Sequence, residues 1–232
     1  MTLPARPVPG SLLSHVTADD IDHIYRAGVR RSYGAGEVIL RQGDPTDHVL
    51  VLLSGWTRVS AATRSGHELL VAFRGPGDVL GDLAALHGWA RTASVETLDP
   101  VQAIQLRREQ FLGLLADRPG FALAMLKQMS ERLREADLIR ADFATLDTTK
   151  RVAACLLRLL RTHAAPMPAG VQLRIPLSQQ DVANRIGASP RSVARAFAVL
   201  RDRGIVISSR GHLLIAKPDV LLAFVGDLPN GT

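Results

Sequence analysis

The 232-residue chain carries one cysteine, Cys155, which excludes an intrachain disulfide and any Cys-ligated zinc or iron–sulfur cluster. Apolar residues never run for the roughly 18 positions a membrane span needs, and Met1–Gly10 has prolines where a signal peptide would hold its apolar stretch. These absences predict a protein that is neither membrane-embedded nor exported, working in a reducing cytoplasm. The seven histidines, at positions 15, 23, 48, 67, 87, 163 and 212, form no H-x-H or H-E-x-x-H. Neither G-x-S-x-G nor a P-loop occurs. The chain therefore offers no catalytic motif and no metal site, and an enzyme is not expected.

What is present divides unevenly. Residues 1–149 carry net −2 and residues 150–232 net +8, which together make the chain's +6. The length suits two modest domains, and a near-neutral front with a strongly basic back is the footprint of a nucleic-acid-binding module joined to something else. From charge alone, a solvated basic surface is an equal alternative.

In the front half, Gly34, Gly36, Gly43, Gly55, Gly66, Gly75 and Gly77 punctuate short β-forming runs, among them Val49–Leu53, Trp56–Ala61 and Glu68–Phe73. That spacing predicts an all-β roll. From Phe121 the period changes: Ala122, Leu126, Met129, Leu133, Ala136, Arg140 and Phe143 mark a heptad seam on a helix of about 25 residues. Either a second copy covers this seam or the helix packs on its own β domain, and Arg140 within it needs a carboxylate opposite. The helix should break near Leu146, where Asp147 caps a new helix through Val152, Leu156, Leu157 and Leu160 that ends before a loop at Ala165–Gly170. Cys155 sits among apolar neighbours and reads as packing.

Residues 178–200, S-Q-Q-D-V-A-N-R-I-G-A-S-P-R-S-V-A-R-A-F-A-V-L, read as a helix-turn-helix. Ala183 is small where the helices cross, Gly187 makes the turn, and Val182, Ile186, Val193, Phe197 and Leu200 close a small core. Ser189 caps the second helix with Pro190 at its first position. Arg191, Ser192 and Arg195 then project where a recognition helix meets base edges. Ile205–Ile207 and Leu213–Ile215 predict a hairpin wing with Arg210 near phosphate.

Residues 77–95, G-D-V-L-G-D-L-A-A-L-H-G-W-A-R-T-A-S-V, place a short helical start before an arginine. Gly81 permits close backbone approach, the amides of Leu83 and Ala84 favour an anion, Asp82 suits a ribose hydroxyl, and Arg91 with Thr92 can clamp a phosphate. Read without context, Arg91 is equally a surface arginine.

The order of these parts, roll, G-D-L-A-A-L with R-T-A-S-V, long helix, Leu146–Asp147 hinge and winged helix-turn-helix, resembles the CRP/FNR superfamily of transcription regulators from about Leu12 to Phe224. The resemblance implies an α+β architecture: a β-roll (jelly roll) of the cyclic-nucleotide-binding type over residues 1–120, a dimerisation helix over 121–146 and a winged helix-turn-helix over 147–232. It also implies a homodimer on a palindromic double-stranded DNA operator, cyclic AMP or cyclic GMP as ligand, RNA polymerase as a further partner, and ligand contacts at Gly81, Asp82, Arg91 and Thr92. Cluster- and haem-sensing branches lack their ligands here.

Three positions depart from the family pattern. The cassette acid is Asp82 where Glu is usual, and the purine-facing Thr-Ser pair of cyclic-AMP-responsive members aligns with Ala136 and Asp137. A carboxylate at Asp137 suits the N1–H and amino group of guanine, or it pairs with Arg140 of another subunit. The recognition helix begins S-P-R-S-V rather than S-R-E-T-V, so the familiar half-site does not transfer. Two other readings remain: a ligand-independent regulator in which Arg91 pairs with Asp82, and a nucleotide-sensing module that binds protein through its basic end.

Overall fold

The structure, a computed structural model, describes residues 6–64, 66–209 and 212–226, and the chain divides into two compact units, 1–133 and 134–232.

In the first unit the glycine-punctuated runs become eight strands: β1 (Val29–Tyr33), β2 (Val38–Leu40), β3 (Val49–Ser54), β4 (Thr57–Ala62), β5 (Glu68–Arg74), β6 (Val79–Leu80), β7 (Ser94–Thr97) and β8 (Val101–Leu106). All pair antiparallel, in two four-stranded sheets ordered β1, β8, β3, β6 and β2, β7, β4, β5. Strand β3 explains how the roll closes. Its sequence VLVLLS is buried from Val49 to Leu53, and side chains alternate between faces along a strand. Val49, Val51 and Leu53 therefore pack with Leu12, Ile24, Phe111 and Phe121, while Leu50 and Leu52 join Leu40, Leu80, Val95 and Ala103. An uninterrupted apolar run is what a strand lying between two cores requires.

Helix α1 (Ala18–Ala27) opens with a capping box between Thr17 and Asp20, α2 (Asp82–His87) follows β6, and α3 (Arg108–Asp117) follows β8. Then α4 runs from Pro119 to Thr145. Its first turns bury Phe121, Ala124 and Met125 in the roll, with Phe121 edge-on to Phe111 at 6.1 Å between ring centroids. Leu126, Leu133 and Phe143 stay 61%, 61% and 64% exposed. The two alternatives for the seam are thus divided among its residues: Met129 packs on the roll, while Leu126, Leu133 and Phe143 stay exposed within a single chain.

The second unit contains the end of α4, then α5 (Thr148–His163), β9 (Ala164–Met167), β10 (Gly170–Leu173), α6 (Gln179–Ile186), α7 (Pro190–Asp202), β11 (Val206–Ser209), β12 (His212–Ile215) and α8 (Pro218–Val225). Asp147 caps α5 by accepting from the Lys150 amide at 2.9 Å. The segment expected as a loop at Ala165–Gly170 is instead the hairpin β9–β10, which extends the wing to a sheet ordered β11, β12, β10, β9. Pro166 concealed it from sequence reading, since proline is tolerated only at sheet edges, and β9 is an edge. The Asp142 carboxylate meets the Arg158 guanidinium at 2.6 Å, both well buried, and Arg185 pairs with Glu135. These two pairs fasten the end of α4 to its unit.

Candidate ligand pocket and nucleic-acid interface

Gly81 sits between β6 and α2 with φ +80°, a conformation that favours glycine. A Cβ there would lie 2.3 Å from Arg91 Nη1, so the position is also fixed by close approach. The Arg91 guanidinium is buried and turned onto the chain itself. Its Nε donates to Thr46 Oγ1 at 3.1 Å, Nη1 to the Gly81 carbonyl at 2.9 Å and Nη2 to the His48 carbonyl at 2.6 Å. His48 Nδ1 lies 3.5 Å from the same Nη2. Burial pulls the guanidinium below its ordinary pKa, opposed by the nearby carboxylates of Asp47, Asp44 and Asp82.

Asp82 is buried at the first position of α2, and its partner is Arg132 of α4, whose Nη1 donates to Oδ2 at 2.7 Å and whose Nη2 donates to the Val79 carbonyl at 2.6 Å. The Arg91–Asp82 pairing considered from sequence is thereby replaced by two separate arrangements. Arg91 is held by backbone, and Asp82 by a guanidinium from the long helix. Leu83 is exposed, Ala84 buried and Thr92 exposed beside Arg91. The carbonyl of Gly81 accepts from Ala85 as well as Arg91, leaving the amides of Leu83 and Ala84 in a first turn where helical amides have no intrahelical acceptor.

Ala136 and Asp137 belong to the second unit, where both are exposed. Asp137 pairs with Arg140 three residues on in the same helix, so the carboxylate that Arg140 needs comes from its own chain.

The helix-turn-helix core forms as its spacing dictates. Val182, Ala183, Ile186, Val193, Phe197 and Leu200 are buried, and Gly187 ends α6 with φ +60°. Ser178 and Asp181 make a capping box on α6, and Ser189 caps α7 by accepting from the Ser192 amide at 3.2 Å. With that face inward, Arg191 and Arg195 stand exposed one turn apart, with Ser192 half-buried between them. Four other arginines of this unit are engaged: Arg158 with Asp142, Arg185 with Glu135, Arg151 with the Ile186 carbonyl and over the Phe143 ring, Arg203 over Phe224. Among the described residues, Arg191 and Arg195 have no such partner. Arg210, expected to touch phosphate from the wing, lies outside the described residues.

Burial also pushes the Cys155 thiol up, which keeps it protonated and inert. No group of metal-ligating side chains occurs among the described residues, and no described helix is long and apolar enough to cross a membrane.

The sequence reading missed Thr46, His48 and Arg132. Arg132 left a usable signal, because it lies four residues before Ala136, a spacing that stacks side chains on one helical face. His48 and Thr46 left none, since their role depends on a sheet bringing residues 46–48 beside residue 91.

Comparison with known proteins bears on both sites. Residues 30–118 match the cyclic nucleotide-binding domain family, and residues 150–224 match the Crp-like helix-turn-helix domain family. The chain is 31% identical to a cyclic AMP receptor protein of Thermus thermophilus over 213 residues, 91% of this chain and 95% of that protein. It is 28% identical to a CRP-like cAMP-activated global transcriptional regulator of Mycobacterium tuberculosis over 186 residues, 80% of this chain and 83% of that protein. The solved structure of the c-di-GMP-responsive global regulator CLP of Xanthomonas campestris superposes with a TM-score of 0.75 over 86% of this chain and 99% of that chain, at 24% identity.

Proposed function

The chain belongs to the CRP/FNR family of transcription regulators, and we propose that it acts as a homodimer whose β-roll takes a cyclic nucleotide and whose paired recognition helices read a palindromic operator. In this reading residues 1–120 sense, 121–146 dimerise and 147–232 bind DNA. The observation that carries the DNA assignment is the placement of two arginines: Arg191 and Arg195 stand exposed one turn apart in the first turns of α7, while Arg158 and Arg185 are used within the fold. Each guanidinium can bond bidentately to guanine O6 and N7. Ser189, Ser192 and Arg210 complete the set as phosphate or edge contacts.

Dimerisation is supported by the bare Leu126, Leu133 and Phe143 stripe, which a second copy in parallel register would bury.

At the pocket, Arg91 and Thr92 are assigned to the cyclic phosphate, Gly81, Leu83 and Ala84 to backbone approach, and Asp82 to the ribose. Asp137, with Ala136 beside it, is assigned to the purine edge, where its carboxylate prefers guanine. A ribose hydroxyl that takes Asp82 competes with Arg132, so occupancy of the pocket acts on the tie between cassette and long helix. The ligand shifts the equilibrium only by its differential affinity for the two states. RNA polymerase is a further partner in this reading.

One observation favours a second reading. Arg91 and Asp82 both have partners within the chain, as a regulator that works without a ligand would require. Titrating a selected operator with the full chain, with and without cyclic AMP or cyclic GMP, separates the two. Ligand control predicts a change in affinity with at least one nucleotide, and indifference to both supports the empty-dimer regulator.

A further inference from the structure

We infer that His48 is a proton-coupled member of the anion site: when Arg91 takes a phosphate, the His48 imidazole beside it accepts a proton from solvent and holds the same anion. The inference rests on the proposed nucleotide reading of the roll and goes beyond it by assigning a residue that no feature of the cassette motif includes.

Geometry makes the case. His48 immediately precedes the buried β3, and its main chain is pinned, because the His48 carbonyl accepts from Arg91 Nη2 at 2.6 Å. Its ring nitrogen Nδ1 lies 3.5 Å from that same Nη2. The ring therefore turns a nitrogen toward a permanent cation. A neutral imidazole can present a lone pair there, whereas an imidazolium would set two positive charges against each other in a half-buried place.

The surrounding charges come from several elements. Burial and then the Arg91 guanidinium lower the His48 pKa, Asp47 opposes them, and Arg31 of β1 lowers it further. Asp44 and Asp82 bear on Arg91 itself. A bound phosphodiester reverses the dominant pairwise effect. Its negative charge lies against both the guanidinium and the imidazole, so the imidazolium becomes the favoured form and donates to a phosphate oxygen. By linkage, a group whose pKa rises on binding takes up a proton, and ligand affinity then increases as pH falls through that group's range.

Calorimetry on the full-length protein tests this. Cyclic AMP and cyclic GMP are titrated in two buffers of different ionisation enthalpy, at about pH 5.5 and about pH 7.5, conditions that bracket a histidine. The expected result is net proton uptake on binding and a tighter complex at the lower pH, by roughly tenfold for each unit by which the anion raises the His48 pKa. H48Q, or H48N should the first variant fold poorly, is expected to bind with a flattened pH profile and no proton uptake. Binding by the wild type without proton uptake, or uptake that persists in the variant, overturns the inference while leaving the nucleotide reading intact. Absence of binding by either nucleotide at both pH values overturns the nucleotide reading and this inference with it.

Discussion

Arg132 and Asp82 form an ion pair that joins the long helix to the ligand cassette, with Nη1 donating to Oδ2 at 2.7 Å while Nη2 is occupied by the Val79 carbonyl. Asp82 is buried and Arg132 partly exposed, so the carboxylate depends on the guanidinium more than the reverse. Removing the cation should leave a buried charge uncompensated, which costs on the order of 3 kcal/mol at such sites. R132A is expected to lower the unfolding midpoint of the roll in denaturant, and R132A with D82N to recover part of the loss. A single variant as stable as the wild type would show that the pair carries no such dependence.

Arg91 tests ligand control separately from stability. R91A removes the donors to Thr46, Gly81 and His48, so the roll loses stability as well as its anion-binding group. Under ligand control, R91A and R91K both lose the nucleotide effect on operator binding, because lysine keeps the charge but not the planar set of donors. Under the empty-dimer alternative, both variants retain operator affinity once folded.

Arg191 and Arg195 of α7 should differ from purely phosphate-contacting residues in what they change. R191A and R195A are each expected to cost about 1–3 kcal/mol of discrimination at one base-pair position per half-site. Substituting a purely phosphate-contacting residue should weaken all sequences alike and reduce the salt slope. Systematic base substitution in a selected operator, read by anisotropy for each variant, distinguishes these patterns.

Asp78 gives the roll a pH dependence of known sign. It is fully buried, its Oδ1 accepts from Gln128 Nε2 at 2.9 Å and its Oδ2 from the Gly75 amide at 3.0 Å. Burial raises its pKa, against the lowering effect of Arg74 and Arg132. A carboxyl with a raised folded-state pKa contributes stability that is present below its unfolded pKa and lost as pH rises through the folded one. Wild-type stability should therefore fall across that range. D78N should not show the fall, because an amide does not titrate, and it should still fold, since Gln128 Oε1, otherwise without a partner, can turn to accept from the new amide. Denaturant melts across pH provide the comparison.

Much of this was legible in the sequence where a residue's role is local. The cap at Asp147, the turn at Gly187, the Ser189–Pro190 start of α7 and the five core positions of the helix-turn-helix all follow from neighbours within a few residues, and the structure agrees with each. The bare stripe on α4 was legible too, because helical periodicity states which face is apolar before anything covers it. The hairpin β9–β10 escaped because Pro166 speaks against a strand unless the strand is known to lie at an edge. The true partners of Arg91 and Asp82 escaped for a different reason. Their contacts join residues separated by 43 and 50 positions, which only the packing of the roll and its helix brings together.

The central claim is that two copies of this chain, joined along α4, grip a duplex in register. Selection from a random pool of duplex DNA, run alongside sedimentation of the same full-length protein, tests it most directly. The account predicts a sedimenting dimer and an enriched palindrome, with guanines in each half-site and half-site centres about one helical turn apart. A monomer that enriches no sequence, or a dimer whose selected sites lack two-fold symmetry, would contradict it.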